Sequence, residues 1–168
     1  LVEHGIGANL DVIGAGGGSA MDIAKTVSVI VSQKEQAENY LTGKAKPDAR
    51  VIPSVMIPTT AGTGSEATQF SVFYLNKIKQ SFEDESLIPD CAILDPEFSL
   101  SLPPYITAVT GLDALCQSIE SYWSVKSTDE SKKFSADGIK LCMENLVKCV
   151  NTPTRETREK MLLAAAPH

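Results

Sequence analysis

Three stretches of this chain hold residues whose type and spacing suit chemistry. The first is GAGGGSAMDIAK, Gly14 to Lys25, where a short apolar run meets glycines and a helical pattern begins. Gly16, Gly17 and Gly18 let backbone N–H groups approach a ligand with no Cβ in the way. A helix N-terminus behind them adds partial positive charge, so a pyrophosphate suits the place. The same turn also suits a plain tight connection from strand to helix. It is not a Walker A loop, because no Gly-Lys-Ser/Thr follows at the required spacing. Nor is it a Rossmann GxGxxG, because Ser19 stands where the last glycine would be.

The second stretch is PTTAGTGSEAT, Pro58 to Thr68. Thr59, Thr60, Thr63 and Ser65 cluster their hydroxyls, and Gly62 and Gly64 let the backbone bend between them. Such a loop can offer donors and acceptors to a ribose and a carboxamide together; a solvated turn has the same composition. Two such loops at strand ends are more telling than one, because ligands of α/β sheets bind at strand carboxyl ends.

The third is TGLDALCQSIESYWS, Thr110 to Ser124, on a helical pattern. Thr110, Asp113, Gln117 and Glu120 share one stripe at helical spacing. Val109, Leu112, Cys116, Ile119 and Trp123 form the adjoining apolar stripe. A carboxylate and a second donor one turn apart can grip one metal ion, as in HExxH helices. A polar stripe is equally the solvated face of an ordinary helix, and Glu120 reads as structural. His4, one of two histidines, reads as a surface or capping residue.

The elements that would position these residues follow from the pattern. Leu10 to Ala15 reads as a short buried strand. Ser19 is placed to cap a helix from Ala20 to Val31 whose apolar face is Ala20, Ile23, Ala24, Val27, Ile30 and Val31. Residues 35–50 read as a loop with a short helix. Val51 to Ile57, Val72 to Leu75 and Cys91 to Leu94 read as further strands, and strands separated by crossovers predict a mostly parallel α/β sheet. From Ile106 onward only helices are expected: Ile106 to Trp123, one opened by a capping box at Ser127 to Glu130 and running to Val150, and one with Pro153 at its first turn ending at Ala165. The fold class is therefore α/β followed by an all-helical part. The boundary falls near Pro103-Pro104, giving a dinucleotide-binding domain over 1–102 and the start of a helical metal and substrate domain over 103–168.

Composition narrows the class. With 43% hydrophobic and 21% charged residues the chain can bury a core rather than stay disordered. A net charge of −6 argues against nucleic acid or an anionic membrane as partner. Apolar runs such as Met161 to Ala166 are far too short to span a bilayer. Cys91, Cys116, Cys142 and Cys149 form no CxxC pair and no zinc-ribbon spacing, so reduced, buried thiols in a cytoplasmic protein are expected. Leu1 is not a start methionine, and Leu1 to Leu10 lacks the layout of a signal peptide; the sequence reads as a fragment.

Together the stretches resemble the iron-containing (group III) alcohol dehydrogenase family, in that family's order and across almost the whole chain. GGGSAMDIAK resembles its pyrophosphate loop, and PTTAGTGSEAT its nicotinamide-side loop. IPDCAILDPEF, Ile88 to Phe98, and Leu102-Pro103-Pro104 resemble its passage into the helical domain. GLDALCQSIESYWS resembles the helix with its first two metal ligands. The resemblance implies hydride transfer between NAD or NADP and a primary alcohol or aldehyde, assisted by Fe²⁺ or Zn²⁺, in a protein that pairs as a homodimer. It places Gly16, Gly17, Gly18, Ser19 and Asp22 around the diphosphate, and Thr59, Thr60, Thr63 and Ser65 on the nicotinamide side. Lys79 is similar in position to a lysine that contacts the cofactor ribose. Asp113 matches the aspartate ligand.

Two departures stand out. The family's histidine four residues beyond the aspartate is Gln117 here, and an amide oxygen is a weaker donor than imidazole for Fe²⁺ or Zn²⁺. A branch resembling phosphonoacetaldehyde reductases carries glutamine at this place. The family also has a further stretch before a segment like Ala166-Pro167-His168. Either residues are absent between Ala165 and Ala166, or the likeness of His168 to the third ligand is accidental. Rival readings are a glycerol dehydrogenase-like or dehydroquinate synthase-like enzyme of the same fold, and a nucleotide-binding module without catalysis.

Overall fold

A computed structural model describes residues 11–31, 37–42, 44–46 and 52–166. The chain divides into two compact units, one of residues 1–57 and 65–93, the other of residues 58–64 and 94–168. The threonine-rich loop between Pro58 and Gly64 thus belongs by its contacts to the second unit.

The first unit is the α/β part. Its strands β1 (Val12–Gly16), β2 (Ser54–Pro58) and β5 (Cys91–Ala92) form a sheet in the order β1-β2-β5. β2 and β5 run parallel, with Val55 opposite Cys91 and Met56 opposite Ala92. The join is tightened by Asp90, whose carboxylate accepts the Ser54 N–H at 2.7 Å. Helix α1 (Gly18–Ile30) follows β1, and α2 (Ala37–Leu41) is a single short turn of helix. Gly14 lies inward on β1, where an added Cβ would come within 2.5 Å of Met56 Sδ and 2.7 Å of Ala24 Cβ. α1 can cross that close only because this residue has no side chain.

Three expectations need correction here. Val72 to Leu75 is not part of the parallel sheet: β3 (Phe70–Leu75) pairs antiparallel with β4 (Ile78–Glu83), a strand the sequence pattern did not suggest. Asn76 and Lys77 both have positive φ, 51° and 66°, as a two-residue turn matched to strand twist requires. β1 is not buried throughout, since Ile13 is 66% exposed. Finally, α1 is rotated from its expected face: Met21, Lys25, Thr26, Ser28 and Val29 are buried while Ile23 is exposed. Polar side chains can lie on the inner face because each has a partner there. Thr26 Oγ1 and Ser71 Oγ are 2.7 Å apart, and Ser28 Oγ donates to Lys25 O at 2.7 Å. The apolar core beneath gathers Val29, Tyr40 and Leu87, with Phe82 stacked between Tyr40 and Phe73.

The second unit is helical: α3 (Pro104–Trp123), α4 (Asp129–Asn151) and α5 (Arg155–Ala165). Ala114, Cys142, Cys149, Met161, Ala164 and Ala165 form its core. α3 turns a small-residue face inward, Thr107, Gly111, Ala114 and Ser118. A Cβ on Gly111 would sit 2.3 Å from Leu146 Cδ1, so α4 packs directly on the α3 backbone. The apolar stripe of Val109, Leu112, Cys116 and Trp123 lies outside, with Trp123 79% exposed. Two cysteines therefore depart from the expected burial: Cys116 faces outward on α3 and Cys91 sits on the edge strand β5, whereas Cys142 and Cys149 are buried. Among the described residues no helix is long and apolar enough to cross a membrane.

Both later helices start a little further on than expected. Thr128, not Ser127, caps α4: its hydroxyl accepts Ser131 N–H at 3.1 Å while Ser131 Oγ accepts Thr128 N–H at 2.9 Å. Thr154 and Thr157 repeat the arrangement on α5, leaving Pro153 before the cap. Thr128→Ala is therefore expected to cost about 1 kcal/mol in chemical denaturation. Ser127→Ala should cost clearly less, because that hydroxyl only donates to Ser124 O. The reverse ranking would return the cap to Ser127.

Candidate functional site

The glycine turn has the geometry of an anion seat. Gly16 adopts φ +154°, a region L side chains rarely occupy, and a Cβ there would meet Ala20 Cβ at 2.6 Å. Gly17 is the N-cap of α1, and its carbonyl accepts the N–H groups of Ala20 and Met21. The expected cap by Ser19 is not formed, since the helix already begins at Gly18 and Ser19 is exposed within its first turn. The leading N–H groups of a helix have no partner inside it. Among the described residues Gly17 offers no side-chain cap and no acid stands in the first turn. A bare N-terminus behind backbone without Cβ atoms fits a diphosphate.

Two residues of the expected cofactor set are engaged inside the first unit. The Asp22 carboxylate accepts Ser65 Oγ–H at 2.5 Å on one oxygen and the Val72 N–H at 3.0 Å on the other. It also pairs with Lys25 Nζ at 3.1 Å. Ser65 is itself buried, 5% exposed. Lys79 lies exposed on β4, opposite Tyr74. In the second unit Thr59 and Thr60 are half-buried and Thr63 is exposed. Their loop is held close to α3, for a Cβ on Gly62 would lie 3.0 Å from the Thr110 carbonyl.

Sequence reasoning missed Lys25 and Glu66. Lys25 is fully buried and donates to the carbonyls of Ser65 at 2.9 Å, Thr68 at 3.4 Å and Phe70, and to Thr68 Oγ1 at 3.2 Å. Burial lowers its pKa, and Asp22 opposes that shift. The one available signal was an i, i+3 pair of Asp22 and Lys25 inside the helix, which also reads as a surface ion pair. Glu66 is 4% exposed, and burial raises its pKa above 4.5 against the opposing pull of its own backbone and Lys25. A carboxyl whose folded pKa is raised contributes stability below its unfolded pKa and loses it as pH rises through the folded value. Glu66→Gln is therefore expected to raise the thermal midpoint at neutral pH, with Lys25 still paired to Asp22. Parent and variant should converge below pH 4.5; a variant less stable at neutral pH would show that the charge of Glu66 is needed.

On α3, Asp113 is partly buried and Gln117 is exposed one turn further on. Gln117 Nε2 donates to Gly62 O at 3.4 Å, so its amide oxygen is the atom left to face a cation. These are two oxygen donors where a transition metal takes about four ligands. Among the described residues no group of three or more His, Cys, Asp or Glu can hold a metal, so the donor set is incomplete. His168 lies outside the described residues, as does His4.

An α/β unit whose first helix starts behind a glycine turn is followed along the chain by an all-helical unit that carries Asp113 and Gln117 one turn apart. The chain belongs to the iron-containing alcohol dehydrogenase family: residues 3–96 match its main family model and residues 107–166 its C-terminal one. Long-chain-alcohol dehydrogenase 1 of Geobacillus thermodenitrificans is 40% identical over 141 residues, 83% of this chain and 36% of that protein. Sulfoacetaldehyde reductase of Bilophila wadsworthia is 35% identical over 92% of this chain and 41% of that protein. The crystal structure of sulfoacetaldehyde reductase from Bifidobacterium kashiwanohense in complex with NAD+ superposes with a TM-score of 0.88 at 37% identity, covering 93% of this chain and 42% of that one. The chain thus spans about two fifths of the length of these relatives.

Proposed function

We propose that this chain is the cofactor-binding part and the start of the helical part of an NAD(P)-dependent oxidoreductase. In this reading residues 1–102 bind the dinucleotide and 103–168 begin the metal and substrate domain of a cytoplasmic homodimer. The reaction is hydride transfer between a primary alcohol or aldehyde and the nicotinamide ring. The observation that carries it is the uncapped N-terminus of α1 behind Gly16 and Gly17. Gly16, Gly17, Gly18 and Ser19 would offer backbone N–H groups to the diphosphate, while Thr59, Thr60 and Thr63 would hold the carboxamide end of the cofactor. Lys79 would reach the ribose. A bound cofactor would give a hydride to an aldehyde or take one from an alcohol; the protein's part is to orient the ring and exclude water.

Asp113 and Gln117 would be two oxygen ligands of a divalent cation, Fe²⁺ or Zn²⁺, which when bound would polarise the substrate oxygen. The alternative reading is a nucleotide-binding module without catalysis. The intact protein containing this chain separates the two when mixed with NADH or NADPH and an aldehyde panel. A long-chain aldehyde and sulfoacetaldehyde cover the classes named among these relatives, and acetaldehyde serves as a short-chain probe. Consumption of either reduced cofactor with one of them is the expected result. Tight cofactor binding without turnover, with metal supplied, would leave the binding module.

A further inference from the structure

Asp22 and Lys25 of α1 bond to the segment that leaves the threonine-rich loop, Ser65 included. Asp22 takes Ser65 Oγ and Val72 N, and its backbone carbonyl accepts Ser71 Oγ at 2.8 Å. Lys25 collects carbonyls at Ser65, Thr68 and Phe70. Those partners span residues 65–72, a stretch that forms only a short 3-10 turn at Ser65–Ala67 before β3 begins. The carbonyls of Ser65, Thr68 and Phe70 thus end on the Lys25 ammonium. Two further facts speak against Asp22 touching the cofactor. Its side chain is 14% exposed with both oxygens occupied. A carboxylate beside a diphosphate would also repel it.

We propose that Asp22, Lys25 and Ser65 are positioning residues that hold residues 65–72 against α1 and thereby set where the nicotinamide-side loop leaves the α/β unit, without touching the cofactor. The inference rests on the proposed cofactor site. In this arrangement the helix that receives the diphosphate also anchors the end of the loop that receives the nicotinamide. Loss of the cluster should loosen the nicotinamide end and leave the diphosphate end intact.

The test pairs hydrogen exchange of the cofactor-free protein with titrations of NADH and of ADP-ribose, which keeps the diphosphate and lacks the nicotinamide. Asp22→Asn and Lys25→Met are the principal variants. Ser65→Ala removes a single hydroxyl and serves if a buried-charge variant does not fold. Exchange across 65–72 is expected to rise at least about tenfold, with NADH binding weakened about fivefold or more and ADP-ribose binding within about twofold of the parent; each tenfold corresponds to about 1.4 kcal/mol. The double variant of Asp22 and Lys25 should cost no more than the worse single one, since both act through one cluster. Equal weakening of ADP-ribose would put Asp22 at the diphosphate and overturn the proposal, as would unchanged exchange. A parent that binds neither ligand while the variants still raise exchange would refute the cofactor reading itself, and with it the positioning role.

Discussion

Gly17→Val is expected to weaken NADH binding at least about tenfold, or about 1.4 kcal/mol, in a fluorescence titration of the intact protein. The position is suited to this test because Gly17 has φ −78° and ψ −178°, an extended conformation open to any residue. A valine can therefore fold there and still place a branched side chain over the bare N-terminus of α1. Gly16→Val would mix two effects, since φ +154° and the contact with Ala20 Cβ strain the fold itself. Thermal stability near that of the parent, together with lost affinity, would assign the loss to the ligand. Affinity unchanged in a well-folded variant would leave the glycine turn as a plain strand-to-helix connection, and the dinucleotide would have to bind elsewhere.

The second large effect is expected at α3. Gln117→His should raise the metal retained after dialysis by about an order of magnitude, because imidazole binds Fe²⁺ and Zn²⁺ better than an amide oxygen does. The local geometry favours the exchange. Gln117 Nε2 donates to Gly62 O, so one ring nitrogen can keep that bond while the other ligates. Asp113→Ala should abolish retention, since Asp113 supplies the only negative charge of the pair. The measurement belongs in the intact protein, where ligands beyond the described residues can join. A histidine variant holding no more metal than the parent, with nothing lost in Asp113→Ala, would reduce the stripe to a solvated helix face.

Much of the element order was legible in the chain itself. Glycine punctuation placed the start of α1, and helical spacing placed α3, α4 and α5 to within a few residues, because both signals are local. The parallel pairing of β2 with β5 also followed from apolar runs separated by long connections. The β3–β4 hairpin did not, since Asn76-Lys77 lacks the glycine that usually marks such a turn. Nor did the caps, since Thr128 competes with the neighbouring Ser127 and Pro153 drew the start of α5 ahead of Thr154.

What the sequence determined by itself was therefore the family motifs and the kind of ligand they suit: glycines before a helix, hydroxyls in a loop, a carboxylate and an amide one turn apart. What the tertiary structure alone decided was which partners those groups have inside the fold. Lys25 sits on the inner face of α1 because its carbonyl partners arrive from 40 or more residues away. Asp22 and Ser65 look like cofactor contacts in the chain and lie bonded to each other in the fold. On α3 the small residues went inward and the large apolar ones outward, because Leu146 of α4 approaches the backbone at Gly111. A buried polar or charged side chain is stable only where its partners converge, and convergence across the chain is a property of three dimensions that local spacing does not encode.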